Sequence, residues 1–151
     1  MSSIFFFAFI LLGSYLFAKV EIAIEGSKGW AEGLPTWKLS RAHWVSRILF
    51  GGRPATGYHA WMITLLFLLT HTPHLFQSFS LVAELRMLSF FILLLLVEDF
   101  LWFILNPAFG LKNFKAEKIW WHKENWWLVA PREYFIFLPI GIGLYILSAY
   151  L

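Results

Sequence analysis

The sequence has no cysteine among its 151 residues. It therefore forms no disulfide, no iron–sulfur cluster and no thiolate zinc site, and it offers no cysteine nucleophile. Charged residues are also scarce, at 14% of the chain, whereas a soluble domain carries about a quarter. No phosphate-binding loop, dinucleotide glycine fingerprint, His-Glu-x-x-His motif or nucleophile elbow occurs. The net charge of +3 is too small and too unevenly spread to indicate a nucleic-acid partner.

The residues that are abundant are hydrophobic ones, at 60% of the chain, with a mean hydropathy of +0.68. They form four long blocks, at about 4–24, 58–76, 82–105 and 134–151. Each block is long enough to cross ~30 Å of hydrocarbon as a helix rising ~1.5 Å per residue. The sequence therefore predicts an all-α, polytopic integral membrane protein, with residues 1–151 as a single transmembrane domain of four helices. The first block lacks a positive n-region, so we expect it to be a retained span and not a signal peptide.

The distribution of lysine and arginine predicts the orientation. Of the 12 cations, 11 lie near or beyond the end of the first block or between the third and fourth blocks, and only Arg86 lies between the second and third. Cytoplasmic loops carry the excess of Lys and Arg in membrane proteins. We therefore expect the segments 25–57 and 106–133 to be cytoplasmic and both termini to be outside. The expected location is a bacterial inner membrane.

The two cytoplasmic segments combine basic residues with tryptophan, which is typical of helices that lie on a membrane surface. Ser40 is a suitable N-cap and Gly51 a suitable residue just past the end of one such helix. Asn113 is a suitable N-cap for a second, through "FKAEKIWWHKENWW". We therefore predict two interfacial helical loops. Asn106-Pro107 should end the third span, because a residue before proline avoids the helical region.

Small residues in the first and fourth blocks predict close contacts between helices. They include Gly13 and Ser14 in the first block, and Gly141 and Gly143 in the fourth. Packing within one chain explains this pattern, although a homo-oligomer is an alternative.

Two adjacent acids, Glu98 and Asp99, interrupt the third block. Each costs ~2.5–3.5 kcal/mol at the centre of an inserted helix, and acids at such positions are usually functional. Eight residues separate Glu98 from Asn106, or ~12 Å of helix, so the acids should lie in the cytoplasmic half. Adjacent helical residues point ~100° apart, so the two side chains should face different partners. We assign them as candidate catalytic residues, and structural hydrogen bonding between helices is the alternative.

Other polar residues should reach the same depth and form a metal site with these acids. Glu21 and Glu25 lie one turn apart at the end of the first block, and His59 begins the second. The second loop adds His122 and Glu124, and Lys19 or Arg53 could reach in from the rim. Oxygen and nitrogen donors suit iron, zinc or manganese, although the Glu-x-x-His spacing of di-iron bundles is missing. The predicted metal ligands are Glu21, Glu25, His59, Glu98, Asp99 and His122.

A second group of possible ligands lies in "HTPH", at the other end of the second block. His71 and His74 are three residues apart, and Glu84 on the next helix is a possible third ligand. Pro73 should disturb the helical geometry between the two histidines. An outer metal site is therefore a weaker expectation than the cytoplasmic one.

These observations favour a small membrane enzyme with a metal-dependent site that faces the cytoplasm. Its substrate would be a membrane lipid or another hydrophobic molecule. A proton-coupled transporter is one alternative, because buried acids relay protons. A non-catalytic subunit or scaffold, whose acids pair with the cations of a partner, is another.

Overall fold

The structure is a computed structural model that describes residues 2–151, and it is 64% helical. Its α-helices are α1 (Ser3–Glu25), α2 (Trp44–Ile48), α3 (Gly57–Thr70), α4 (Leu81–Leu105) and α5 (Arg132–Tyr150). Short 3-10 helices occupy Thr72–Leu75, Leu111–Asn113 and Lys123–Asn125. The strands β1 (Trp126–Trp127) and β2 (Ala130–Pro131) form a two-stranded antiparallel hairpin. The largely helical architecture predicted from the sequence is confirmed.

Side-chain caps mark where the long helices begin. The hydroxyls of Ser2, Thr56 and Ser80 accept hydrogen bonds from the first turns of α1, α3 and α4 respectively. Such caps satisfy backbone N–H groups that have no partner inside the helix. Asn106 ends α4 in an extended conformation, as expected for a residue before proline. Pro131 directly precedes α5.

The helix α4 packs against α1 on one side and α5 on the other, and α3 also contacts it. Small residues allow these helices to approach closely. The Ser14 hydroxyl donates to the Leu94 carbonyl at 2.8 Å, and a Cβ added to Gly141 would lie 2.7 Å from Leu93. The expected close contact is therefore found at Gly141. At Gly143 it is wrong, because that residue has no atom within 4 Å of an added Cβ.

Three helices, α1, α4 and α5, are long and apolar enough to cross a membrane. Many of their large side chains are exposed, for example Phe5, Leu12 and Leu147. The second predicted span is shorter than expected, because α3 has 14 residues. Proline lacks the N–H group that continues a helix, and Pro73 accordingly lies in a separate 3-10 turn after α3.

The prediction of two interfacial helical loops is wrong for most of their length. The first loop contains only the five-residue helix α2, with His43 and not Ser40 as its N-cap. The second forms two 3-10 turns and the β1–β2 hairpin. The physical reason is burial. Trp30 and Trp121 are only 7% and 3% exposed, so these two side chains pack inside the protein, whereas Trp44, Trp120 and Trp127 remain exposed.

The bundle has two distinct ends. The loop end is where α1 and α4 end and α5 begins, covered by residues 26–56 and 106–131. The turn end is where α1 begins, α5 ends and residues 71–80 connect α3 to α4. A buried aromatic cluster that includes Trp30, Trp102, Phe103 and Trp121 fills the loop end. The Asn106 side-chain amide donates to the Gly26 carbonyl at 2.9 Å, and this bond joins the ends of α1 and α4.

Candidate functional site

A cavity of about 330 Å³ lies between the helices at the loop end. Part of its wall is polar and consists of Glu21, Glu25, Arg53, His59, Asp99, His122, Glu133 and Tyr134. The remaining wall is apolar and includes Phe17, Ile63, Phe91, Ile92, Leu95, Leu96 and Phe137. These seven residues lie farther from the loop end along α1, α3, α4 and α5, whereas the other apolar lining residues, Trp30, Leu49, Trp102, Phe103 and Trp121, lie at the loop end with the polar groups. The cavity therefore has one polar end and one apolar end.

Three potential metal ligands meet at the polar end. One ligand atom from each of Glu21, Glu25 and His59 lies within 4.8 Å of the other two. The two glutamates share a face of α1 because residues four apart are neighbours on a helix. His59 approaches them from the first turn of α3, with its Nε2 atom 3.5 Å from the Glu25 carboxylate. We call this group the α1–α3 cluster.

Two contacts fix the orientation of the His59 ring, a polar contact with Thr56 and stacking on Trp30. Its Nδ1 atom lies 2.7 Å from the Thr56 hydroxyl. The Trp30 indole stacks on the ring, with centroids 4.0 Å apart and planes inclined by 22°. The Arg53 guanidinium lies over the Trp30 ring, 4.6 Å from its centroid. These contacts leave the Nε2 atom of His59 directed at the carboxylates.

The loop after α1 supplies a backbone donor to the same cluster. The Ala31 N–H donates to the Glu25 carboxylate at 2.5 Å, and the Trp30 indole N–H donates to the Pro54 carbonyl at 2.8 Å. Trp30 and Ala31 have φ values of 46° and 51°, in the left-handed region that residues other than glycine rarely adopt. Backbone strain of this kind costs ~1–3 kcal/mol and is concentrated at functional sites.

A row of polar side chains forms the opposite wall. The Tyr134 hydroxyl donates to the Asp99 carboxylate at 2.5 Å, and the other Asp99 oxygen lies 3.7 Å from His122 Nε2. His122 Nδ1 lies 4.0 Å from the Glu133 carboxylate. Within residues 2–151, neither nitrogen of His122 and neither carboxylate oxygen of Glu133 has a hydrogen-bond partner. We call this group the Asp99–His122–Glu133 row.

Glu98 and Asp99 diverge, as their positions on a helix require. Asp99 faces the row just described. Glu98 is 5% exposed and is not among the lining residues of the cavity that the structure describes. One Glu98 oxygen is buried without a hydrogen-bond partner in the described part of the chain.

Most of the predicted ligands converge on this region. Glu21, Glu25 and His59 form one cluster, Asp99 and His122 line the same cavity, and Arg53 reaches in from the rim as expected. The expectation for Glu124 is wrong, because its side chain is 72% exposed and forms an ion pair with Arg41 at 3.4 Å. Lys19 is also exposed and does not line the cavity.

The sequence reasoning missed Glu133 and Tyr134. Both lie in the first turn of α5, at the edge of the fourth apolar block. The predicted boundary at residue 134 places Glu133 in the preceding loop. A usable signal was present. Pro131 marks the start of the helix, so an acid two residues later is at the depth of the cavity and not in a free loop.

The site has a strong excess of negative groups. Four of the lining residues carry a carboxyl group, and Arg53 is the one cation among the lining residues that the structure describes. Like charges repel strongly when they are removed from water. A bound cation would reduce this repulsion. The α1–α3 cluster has the oxygen and nitrogen donors to hold one.

Comparison of the chain with protein families, with curated proteins and with solved structures gave no match.

Proposed function

We propose that this chain is an integral membrane protein that binds a divalent metal ion in the α1–α3 cluster and acts on a lipid or another hydrophobic substrate. The observation that carries the proposal is the convergence of Glu21, Glu25 and His59 at the polar end of a largely apolar cavity. Iron, zinc and manganese are the candidate metals, because carboxylate and imidazole donors suit them.

The membrane setting rests on the helices. In this proposal α1, α4 and α5 cross the bilayer completely. A fourth crossing combines α3 with the turn Thr72–Leu75, which together rise roughly 29 Å at ~1.5 Å per α-helical and ~2.0 Å per 3-10 residue. Because 11 of the 12 cations lie in or next to the loop-end segments, the loop end would face the cytoplasm. Both termini would then lie outside, in a bacterial inner membrane.

The surroundings of the cluster support metal binding. A histidine ligand usually engages its second ring nitrogen with a neighbouring group, which fixes the ring. Thr56 makes such a contact with His59 at 2.7 Å. Asp99 lines the same cavity, and Glu98 is buried beside it in sequence on α4. In this proposal His59, Glu21 and Glu25 bind the metal directly, and Glu98 or Asp99 completes the set.

The shape of the cavity favours an amphiphilic substrate. Its apolar wall, formed by residues such as Phe91, Leu95 and Phe137, would hold an acyl or similar chain at the depth of the membrane core. Its polar end would place the head group beside the metal. Arg53 is positioned to bind a negatively charged head group, because its guanidinium is held over Trp30 at the cavity rim.

The bound metal would activate water or oxygen, and the protein would move the protons. Asp99 is the candidate for the residue that exchanges protons with the substrate, because it lines the cavity and receives a hydrogen bond from Tyr134. His122 and Glu133 continue the row toward Arg132, whose Nη2 atom is 3.7 Å from Glu133. The gaps of 3.7 Å and 4.0 Å on either side of His122 are too long for direct hydrogen bonds, so proton movement along this row would need side-chain rotation or a bridging water.

A transporter has less support. A transport path would have to continue from Asp99 to the turn end. The cavity wall beyond Asp99 on α4 is formed by Phe91, Ile92, Leu95 and Leu96, which offer no polar group to an ion or proton.

The test is the metal content of detergent-purified protein, measured by mass spectrometry after growth with iron, zinc and manganese. We expect His59→Ala and Glu25→Gln to contain about one metal ion per chain less than the wild type. Glu124→Gln is the matched control, because Glu124 is exposed and should leave the metal content unchanged. Equal metal content in the wild type and both site variants would refute the proposal.

A further inference from the structure

Three further potential ligands meet at the turn end. The Nε2 atom of His71 lies 3.3 Å from one oxygen of Glu84, and the Nε2 atom of His74 lies 2.8 Å from the other. All three side chains are at least three-quarters buried, with exposed fractions of 15%, 24% and 24%. We call this group the turn-end cluster.

The local backbone explains why these side chains meet. The chain after α3 forms a 3-10 turn with Pro73 near its start. A 3-10 helix has three residues per turn, so side chains three positions apart lie on the same side. Pro73 therefore does not separate His71 from His74, as the sequence suggested, but helps to align them. Glu84 lies in the first turn of α4 and faces back toward the two rings.

The hydrogen bonds of His71 leave a conflict that a cation would resolve. Its Nδ1 atom is 2.7 Å from the Phe67 carbonyl oxygen, which can only accept, so Nδ1 carries a hydrogen. In a neutral imidazole the other nitrogen then has a lone pair. That nitrogen, Nε2, is buried and has no hydrogen-bond partner in residues 2–151, yet it faces a carboxylate oxygen at 3.3 Å. A proton on Nε2, which would make His71 an imidazolium, or a bound cation would remove this contact between two acceptors, and a metal ion would be held by the Glu84 carboxylate and the imidazole together.

Neighbouring aromatic side chains hold the two histidine rings in place, and the nearby Arg86 does not pair with Glu84. Phe67 packs on the His71 ring at 4.1 Å, and Phe79 stacks on the His74 ring at 5.4 Å. Arg86 is two residues from Glu84, but its Nε atom donates to the Ser148 hydroxyl at 3.2 Å. In the contacts of the described residues, the Glu84 carboxylate therefore pairs with the two imidazoles and not with Arg86.

We propose that His71, His74 and Glu84 bind a Zn²⁺ ion at the turn end. Two imidazoles and one carboxylate, with a fourth position left open, form a frequent zinc ligand set. The ring centroids of the two histidines are 6.3 Å apart, so side-chain rotation must bring both Nε2 atoms to the metal. The bound ion would join the end of α3 to the start of α4.

This site is separate from the α1–α3 cluster. Glu84 and Glu98 are 14 residues apart on α4, which corresponds to roughly 21 Å of helix. The proposal therefore does not depend on metal binding or catalysis at the loop end. Either site can be removed by substitution while the other is measured.

The test uses full-length protein that carries His59→Ala, so that the α1–α3 cluster is disabled. Zn²⁺ is titrated into this protein in detergent and the heat of binding is recorded. We expect about one Zn²⁺ per chain. Adding His71→Ala, His74→Ala or Glu84→Gln should weaken Zn²⁺ binding by at least about 10-fold. Loss of a residue that only supports a metal ligand already lowers metal affinity by about 10-fold to 100-fold.

Two controls make the result specific. His43→Ala removes a histidine that caps α2 at the loop end, and it should leave the Zn²⁺ affinity unchanged. Ca²⁺ prefers six to eight oxygen ligands and should not compete with Zn²⁺. Failure of the His59→Ala protein to bind Zn²⁺, or equal binding by the variants of all three turn-end residues, would overturn the proposal. Because three residues are substituted one at a time, the test still gives a result if one of the variants fails to fold.

Discussion

At the loop end, the polar site takes its side chains from α1, α3, α4, α5 and both loops, over residues 21–134. At the turn end, His71, His74 and Glu84 come from 14 consecutive residues. The first arrangement exists only when the whole chain is folded, because residues far apart in sequence must be brought together. The second needs only one turn and the start of one helix. The loop-end site should therefore be sensitive to substitutions throughout the fold, and the turn-end cluster should not.

The substitution Trp121→Ala should disturb the loop end strongly and the turn end not at all, which is the largest difference that we expect between them. The Trp121 side chain is 3% exposed and stacks on Phe103 with ring centroids 5.8 Å apart. Its loss should reduce the free energy of unfolding by about 3–5 kcal/mol, measured by denaturant titration in detergent micelles. Trp120→Ala is the control, because Trp120 is 41% exposed and should cost much less. The NMR signals of the His71 and His74 rings should stay unchanged, and a shift in both would contradict the independence of the two ends.

A smaller effect, on the stability of the helix bundle between the two ends, is expected from Gly141→Val. A Cβ at Gly141 would lie 2.7 Å from Leu93, so α5 would have to move away from α4. Overpacking of this kind costs about 1–3 kcal/mol, measurable by thermal unfolding in detergent. Gly143→Val is the matched control, because an added Cβ there has no atom within 4 Å. Equal destabilisation by the two variants would show that close packing of α4 and α5 is not the cause.

The smallest effect should be the most local one. Thr56→Val removes the hydroxyl 2.7 Å from His59 Nδ1, and it should weaken metal binding at the α1–α3 cluster by about 10-fold. Zn²⁺ binding at the turn end should not change. Thr56→Ser retains the hydroxyl and should restore the affinity. If Thr56→Val and Thr56→Ser bound metal equally well, Thr56 would have no role in orienting His59. Calorimetric titration of each variant with Zn²⁺ separates these outcomes.

The sequence predicted the long helices well, because apolar blocks of about 20 residues leave few alternatives. It predicted the end of the second block poorly. Local hydropathy gives no indication that Pro73 starts a 3-10 turn, and in that turn the spacing of His71 and His74 becomes favourable. The loops were also misjudged. Tryptophan beside lysine suits a membrane surface, but the same composition suits a cover over the bundle, and only the packing of Trp30 and Trp121 decides between them.

The candidate site could be predicted to the extent that helical geometry determines it. Glu21 and Glu25 must share a face because they are one turn apart, and Glu98 and Asp99 must diverge for the same kind of reason. The partner of His122 could not be predicted, because His122 lies in a loop whose path depends on packing. Glu133 was missed for a related reason. Its depth depends on where α5 begins, and hydropathy alone places that boundary with an error of several residues.

The 3-10 turn at Pro73 has a consequence for how this molecule can change in evolution. Because the turn-end cluster is encoded by one short, contiguous stretch, a single recombination event could carry it intact into another pair of connected helices. It could also be deleted without disturbing the opposite end. The loop-end site has no such freedom, since its parts are inherited only with the entire chain. The two clusters can therefore be gained or lost independently of each other.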